Sequence, residues 1–188
     1  MNAGSPAVKL TYDDFVRFPD DGKRHELIDG EHYVTPSPNM KHQRIGGSLH
    51  LLIGMWLESY PIGQVFFAPF DVLLSPFDVV EPDLLYFSNE TAARVLTEDN
   101  VKGAPDLVVE VTSKSTRKRD ETIKRQLYER TGVAEYWLVD SKSDVIRVYR
   151  RVGDEFGAPI ELSRERGQVL TTPLLPGLDM PLARIFRA

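Results

Sequence analysis

The sequence of 188 residues contains no cysteine. Without thiols the chain cannot form disulfide bonds, bind a metal through thiolates or use a cysteine nucleophile. No apolar run reaches the length of a membrane-spanning helix, and the N-terminal MNAGSPAVKL lacks the apolar core of a signal peptide. Together these absences predict a soluble protein of the cytoplasm.

An excess of positive charge is also missing, because the formal net charge is −5 at pH 7. This excludes a protein whose whole surface is basic, as bulk binding of nucleic acid requires. A local basic site is compatible with this net charge, because six Lys or Arg lie in the segment from Lys114 to Arg125. Charge counting alone favours a solvated helix end for this segment. Repeats, low-complexity tracts and linkers are absent too. We therefore expect one domain over residues 1–188, with a loose tail at residues 1–8.

What is present is organised around the stretch from Val101 to Asp140, which predicts a strand, a basic loop, a helix and a second strand. The apolar run Leu107–Val111 is short and rich in β-branched residues, as in a buried strand. A helical pattern runs to Arg130 before Thr131-Gly132, and AEYWLVD follows as the second strand. Strand, helix and strand at this spacing predict a crossover between parallel strands. Residues at the end of the first strand and the start of the helix then meet in one crevice.

Two ionisable residues of this stretch need an explanation. Glu110 lies inside the apolar strand, and a buried carboxylate must be paired, protonated or bound to a metal. Lys124 lies beside the helix face predicted to pack on the sheet, aligned with Asp120 and Tyr128 at four-residue spacing, so that its ammonium group can reach inward. Tyr128 and Trp137 are interpreted as core residues.

Two further carboxylates lie at positions that allow either a structural or a functional interpretation. Asp83 follows Pro82 at the entrance of a predicted strand, where it is either a turn residue or a metal ligand facing Glu110. Glu26 lies in the first strand of a hairpin predicted around Asp29-Gly30. It is either a solvent-facing residue paired with a neighbouring Arg or His, or a third acidic group of the same site.

The longest helix is predicted from about Met40 to Tyr60, where apolar residues recur at helical spacing. It contains His42 and His50, which we interpret as ordinary polar helix residues because no HExxH pattern joins them.

Carboxylates at strand ends together with a lysine predict chemistry on phosphate. Mg²⁺ or Mn²⁺ binds through one or two carboxylates, with water and substrate phosphate in the other positions. A nearby ammonium group stabilises the charge that develops on the phosphate. Paired carboxylates also serve glycoside cleavage, but the basic loop beside Glu110 favours an anionic substrate.

The segments HELIDGE, EPDLLYF, PDLVVEVTSKSTRKRD and KRQLYERTGVAEYWLVD, in this order and spacing, resemble the Uma-two family of putative restriction endonucleases, within the PD-(D/E)XK nuclease superfamily. The resemblance extends from about Leu10 to the C-terminus. It implies an α/β fold with a restriction-endonuclease-like core, in which helices flank a mixed central β-sheet. It also implies a divalent metal at one sheet edge and a homodimer.

By this resemblance, Asp83 matches the Asp of the PD element and Glu110 the acidic residue of the (D/E)XK element, and both would bind the metal. The backbone carbonyl of Val111 would add a ligand. Glu26 matches the N-terminal acidic residue that completes many such sites.

The lysine of the motif is displaced. Thr112 stands two residues after Glu110, where the strict motif has Lys. A lysine on the following helix can replace it, and Lys124 is the residue that we favour. Lys114 is the competitor, although it lies in the polar loop.

The prediction from the sequence is a Mg²⁺- or Mn²⁺-dependent DNA endonuclease. Asp83 and Glu110 would hold the ion, Lys124 would stabilise the transition state, and Glu26 would orient the surrounding groups. The alternative is a catalytically inactive nuclease-fold module that binds nucleic acid or a protein partner, and a third hypothesis is hydrolysis of another anionic substrate. Three aromatic side chains are either buried in the monomer or present a dimer surface, namely Phe66, Phe67 and Phe70.

Overall fold

The computed structural model describes residues 8–187. The predicted tail at residues 1–8 therefore lies outside the described residues, except for Val8. In chain order the elements are α1 (Tyr12–Phe15), β1 (Arg24–Ile28), β2 (Glu31–Thr35), α2 (Met40–Ser59), β3 (Gly63–Phe67), β4 (Val72–Ser75), β5 (Asp78–Val80), β6 (Leu84–Ser88), α3 (Asn89–Val95), β7 (Val101–Lys102), β8 (Leu107–Thr112), α4 (Arg117–Arg119), a π-helical segment (Asp120–Lys124), α5 (Arg125–Arg130), β9 (Glu135–Asp140), β10 (Val145–Val152), β11 (Glu155–Phe156), β12 (Ile160–Ser163), β13 (Val169–Leu170), β14 (Met180–Pro181) and α6 (Leu182–Ile185).

The central sheet has seven strands in the order β11-β10-β9-β8-β6-β3, with β12 also paired to β10. Strands β8 and β9 are parallel, and Glu110 lies opposite Leu138 in their register. The other pairs of this sheet are antiparallel. The predicted mixed central sheet is confirmed, and so is the parallel pairing on either side of the helical segment.

A second sheet of five strands has the order β2-β1-β5-β4-β7. Its β1–β2 hairpin turns at Asp29 and Gly30, whose φ angles of 53° and 76° are the positive values that a two-residue hairpin turn requires. The predicted hairpin is therefore confirmed. Its first strand carries Glu26, which brings a carboxylate from this sheet towards the central one.

Apolar residues cover both faces of the central sheet. On one face, α2 and the C-terminal segment contribute to a cluster that includes Val109 and Val111 of β8. On the other, α3, α5 and the second sheet enclose Val108. Because side chains alternate along a strand, Glu110 lies on the same face as Val108. No helix within residues 8–187 is long and apolar enough to cross a membrane.

The helical pattern between the two parallel strands is confirmed, but its middle turn is not an α-helix. Residues Asp120–Lys124 form a π-helical segment, whose hydrogen bonds span five residues instead of four. Both ends of this segment, Asp120 and Lys124, are buried. The wider turn thus brings these two polar side chains to the inner side of the same helical stretch.

Candidate active site

The centre of the candidate site is the side chain of Lys124, which is 1% exposed. Its Nζ lies 2.6 Å from Oε1 of Glu26 and 2.8 Å from Oε1 of Glu110. Burial opposes the charge of the ammonium group, but attraction to Glu110 and Glu26 outweighs this cost and raises the pKa of Lys124 above its usual value. A charged ammonium group shared by two carboxylates satisfies the requirement that a buried charge be paired.

Glu110 is 3% exposed, and one of its two side-chain oxygens accepts both of the hydrogen bonds that it receives. Lys124 and the hydroxyl of Tyr128, at 2.7 Å, both donate to Oε1. No donor within residues 8–187 contacts Oε2. Burial raises the pKa of Glu110 to about 8; Lys124 acts in the opposite direction, and the charges of Asp83, Asp120 and Glu26 add to the rise. Glu110 therefore has one oxygen available for a proton or a cation.

The side chain of Asp83 is hydrogen-bonded to the backbone of β8 at Val111, the residue after Glu110. The N–H of Val111 donates to its Oδ2 at 2.8 Å, and Nε2 of His42 lies 3.0 Å from the same oxygen. Arg24 donates to Oδ1 at 2.9 Å. Burial disfavours the ionised carboxylate, but these partners prevail and lower the pKa of Asp83 to about 2. The carboxylate is thus ionised at neutral pH and held beside the strand end.

Glu26 is 1% exposed, so the interpretation of it as a solvent-facing strand residue is wrong. Besides Lys124, its Oε1 accepts the backbone N–H of Glu81 at 3.1 Å, and its Oε2 lies 3.4 Å from Arg119. Burial penalises its charge, yet attraction to Lys124 and Arg119 leaves the pKa of Glu26 below its usual value. Glu26 is thus a buried, ionised partner of the lysine.

These side chains meet at a cavity of about 120 Å³ at the end of β8. Four of the five predicted site residues are involved directly, since Asp83, Glu110, Val111 and Lys124 line it. Glu26 is not part of the lining and reaches the cavity through its contact with Lys124. This space is called the catalytic cavity, after the function proposed for it.

The oxygen atoms at the catalytic cavity suit a hard divalent cation. Among residues 8–187, no three His, Asp or Glu side chains are grouped so as to hold a metal ion. Mg²⁺, however, is held by one or two carboxylates, with waters and substrate phosphate completing its shell. Within residues 8–187, Oε2 of Glu110 has no donor and Oδ1 of Asp83 has Arg24 alone, which leaves a lone pair on each carboxylate. The pair Asp83 and Glu110 therefore fits such an ion.

The structure distinguishes the two candidate lysines. Lys114 is exposed, and within the described chain no hydrogen bond or ion pair joins it to Glu26 or Glu110. At the position that the strict motif gives to lysine, Thr112 is buried, and its Oγ1 has no partner in the described part of the chain. The lysine that contacts Glu110 is thus Lys124.

Several neighbours of the site were not identified from the sequence. Arg24, His42 and Arg119 line the catalytic cavity, as does Asp120, whose pKa burial raises to about 6 against the attraction of Lys124. Tyr128, interpreted as a core residue, is buried but also donates to Glu110. The spacing of Asp120, Lys124 and Tyr128 along one helix was a signal for two of these residues.

The Nε–H groups of Arg24 and Arg119 are buried and have no acceptor within residues 8–187. An unmet buried donor is costly, and an anion is a strong acceptor for a guanidinium group. The catalytic cavity thus has carboxylates for a cation and two arginines at its wall.

Comparisons with known proteins agree with this fold. The model of the Uma2 family, described as "Putative restriction endonuclease", matches residues 12–183. A crystal structure of "a putative nuclease belonging to DUF820 from Anabaena variabilis ATCC 29413" is similar, with a TM-score of 0.79 and 19% identity, over 94% of this chain and 97% of that chain. At this identity the likeness concerns the fold. The search of curated proteins finds no match.

Proposed function

This chain belongs to the Uma2 family, and we propose that it is a divalent-metal-dependent endonuclease that hydrolyses phosphodiester bonds of DNA. The family description and the nuclease named for the similar structure support hydrolysis of nucleic acid. The proposal adds the metal, Mg²⁺ or Mn²⁺, the DNA substrate and the residues that act.

The observation that carries the proposal is the convergence of four residues from four separate parts of the chain. Glu26, Asp83, Glu110 and Lys124 come from β1, the entrance of β6, β8 and the π-helical segment. Lys124 contacts two of the carboxylates within 2.8 Å, and the third is bonded to the backbone next to Glu110. Burying three carboxylates, two of them on one ammonium group, is costly for a fold that has no use for them.

In the proposed reaction Asp83 and Glu110 would hold the ion, and the carbonyl of Val111 would add a ligand. When bound, a divalent cation lowers the pKa of water and neutralises charge on the phosphate. Lys124 would donate to the attacking water or to a phosphate oxygen, because it lines the same cavity as Asp83 and Glu110. Glu26 keeps Lys124 charged and oriented, since its Oε1 is 2.6 Å from Nζ.

The unmet donors of Arg24 and Arg119 support an anionic substrate, because a phosphate group accepts hydrogen bonds from guanidinium. The proposal also includes a single endonuclease-like domain, a cytoplasmic location and a homodimer. Of the three aromatic residues considered for a dimer surface, Phe67 is the exposed one, at 60%, on β3 at the edge of the central sheet. Phe66 and Phe70 instead pack against the core.

The proposal is tested with purified protein on supercoiled plasmid DNA in Mg²⁺, Mn²⁺ or EDTA. We expect nicking with either metal, no nicking in EDTA, and loss of nicking in Glu110→Gln. This variant keeps the shape of the side chain and removes the negative charge that holds the cation. Metal-dependent nicking by Glu110→Gln at the rate of the unmodified protein would contradict the assignment.

The second candidate function is a nuclease fold without chemistry that binds nucleic acid or a protein. Its support is that every carboxylate of the site already contacts a cation: Lys124 is shared by Glu26 and Glu110, and Arg24 is paired with Asp83. DNA binding without cleavage in any metal would favour this function. Among the residues that the structure describes, no donor contacts Oε2 of Glu110, and for that reason we prefer the nuclease.

A further inference from the structure

A second and larger cavity adjoins the catalytic cavity. It has a volume of about 570 Å³, within the range of pockets that bind small ligands. Arg24, His42 and Asp83 line both cavities, so the two are direct neighbours on either side of these residues. A substrate whose phosphate lies in the catalytic cavity therefore has a neighbouring group within reach of the larger one, called here the side pocket.

One wall of the side pocket is bare helix backbone. Gly46 and Gly47 of α2 line it, and a Cβ atom added at either position would meet no heavy atom of residues 8–187 within 4 Å apart from its own neighbours in the helix. Glycine is unfavourable inside a helix, where alanine is preferred. Packing inside the protein does not require these glycines, because both positions have room for a side chain. Their effect is to keep the pocket wide and its wall flat.

Aromatic side chains line the pocket as well. Phe67 at the end of β3 is exposed, and its ring lies edge to face with that of His50 of α2 at 4.7 Å between centroids. Both residues line the side pocket. Exposed aromatic rings beside a phosphate site are the usual stacking partners of bases in single-stranded nucleic acid.

The pocket also contains a buried carboxylate that lacks a partner. Glu81 is 9% exposed and lines the side pocket, and its backbone N–H donates to Glu26 of the catalytic group. No donor within residues 8–187 contacts its side-chain oxygens. Its oxygens are not among the fully buried unpaired atoms, so they open into the pocket, where an N–H of a ligand could donate to them. Ring N–H and exocyclic amino groups of nucleobases are donors of this kind.

We propose that the side pocket binds one unpaired nucleobase of the substrate strand, beside the phosphate that is cleaved. The base would lie against Gly46 and Gly47, contact Phe67, and donate to Glu81. This inference rests on the proposed nuclease function and narrows its substrate to single-stranded DNA, or to duplex DNA from which a base is extruded. In a paired duplex both faces of each base are covered by stacking, so a paired base cannot enter a pocket.

The test is a binding experiment that needs no catalysis. A labelled single-stranded oligonucleotide of thymidines and its fully abasic counterpart, of equal length and charge, are titrated with protein in Ca²⁺ by fluorescence anisotropy, and a denaturing gel checks that they stay intact. We expect the unmodified protein to bind the thymidine strand about tenfold more tightly, in the range of base stacking on aromatic side chains.

Gly46→Leu fills the pocket, and Gly46→Ala is the matched control, since both replace glycine by a better helix former. We expect Gly46→Leu to bind both strands equally and as weakly as the unmodified protein binds the abasic one. Gly46→Ala should keep most of the preference for bases. Thermal unfolding checks that both variants are folded.

Equal affinity of the unmodified protein for the two strands would overturn the inference, and so would a preference for bases that survives in Gly46→Leu. Plasmid cleavage with the same preparations separates this result from the nuclease function. Cleavage without a preference for bases refutes the nucleobase pocket alone. A preference for bases without cleavage refutes the nuclease and keeps the pocket.

Discussion

The ammonium group of Lys124 lies 2.8 Å from Oε1 of Glu110, fourteen positions before it in the chain. The strict form of the motif places the lysine two residues after the acidic residue, on the same strand. Here it comes from the helical segment that follows, and the crossover between β8 and β9 returns it to the end of the strand. Glu110 and Lys124 are therefore paired by their positions in the fold and not by the spacing of the strict motif.

Replacing Lys124 by methionine should abolish cleavage and destabilise the fold. Glu26 and Glu110 would be left as buried carboxylates without their cation, at a cost of about 3–5 kcal/mol in the free energy of unfolding. Urea unfolding and plasmid nicking measure the two effects. Adding Glu26→Gln to Lys124→Met should restore part of the stability without restoring cleavage. Lys114→Met, at an exposed position, is the control that should change neither.

Asp83→Asn should weaken Mn²⁺ binding by about tenfold or more, because the amide keeps the shape of the side chain but loses the charge of a proposed ligand. Isothermal titration calorimetry measures the affinity. Asp78→Asn is the matched control, since Asp78 is also a buried carboxylate but pairs with Arg130 and lines neither cavity. Equal Mn²⁺ affinities of the two variants would remove Asp83 from the metal site.

Tyr128→Phe should lower the free energy of unfolding by about 1 kcal/mol and slow cleavage by about tenfold, because Glu110 loses the donor at 2.7 Å that orients it. The comparison is Tyr136→Phe, which removes a buried hydroxyl bonded to the backbone carbonyl of Asp120 at 3.1 Å. A similar loss of stability in both variants, with slow cleavage in Tyr128→Phe alone, is the expected pattern. If both cleave at the same rate, the hydroxyl of Tyr128 has no effect on the chemistry.

Asp140 predicts a pH dependence of stability. Burial opposes its charge, but hydrogen bonds from Ser143 and Arg117 lower the pKa of Asp140 to about 2. The unfolded chain has a value of about 3.9, so the unfolded state takes up the proton first as the pH falls. The stabilisation is complete above about pH 4 and is lost between about 4 and 2.

Asp140→Asn should therefore cost about 1–2 kcal/mol at pH 7 and progressively less below pH 4. Urea unfolding of both proteins at a series of pH values measures the difference. A difference that stays constant down to pH 3 would contradict a lowered pKa. Nicking should be nearly unaffected at pH 7, because Asp140 does not line the catalytic cavity.

Local patterns were sufficient for much of the fold. The turn at Asp29-Gly30, the twenty-residue helix α2 and the two parallel strands around the helical segment were all predicted from residue types and spacing. The turn and the helix depend on interactions between residues close in the chain. The two buried strands are recognisable because they are more apolar than the segments around them.

The partners of the site residues were harder to predict, because they depend on the packing of distant elements. Glu26 lies in a short strand with polar neighbours, and nothing in that strand indicates that a lysine 98 positions later would be buried against it. His42 likewise belongs to a helix whose pattern shows which residues are apolar, not that one of its polar residues contacts Asp83. Family resemblance, not periodicity, singled out Glu26.

The π-helical segment determines the directions in which the side chains before it and after it point relative to each other. Arg117 and Arg119, before it, contact Asp140 and Thr35, while Lys124 and Tyr128, at its end and beyond, contact Glu110. A regular α-helix through the same residues would rotate one half by about 100° relative to the other. The π-helical turn thus lets one helical stretch contact two surfaces that a regular helix of the same sequence could not reach together.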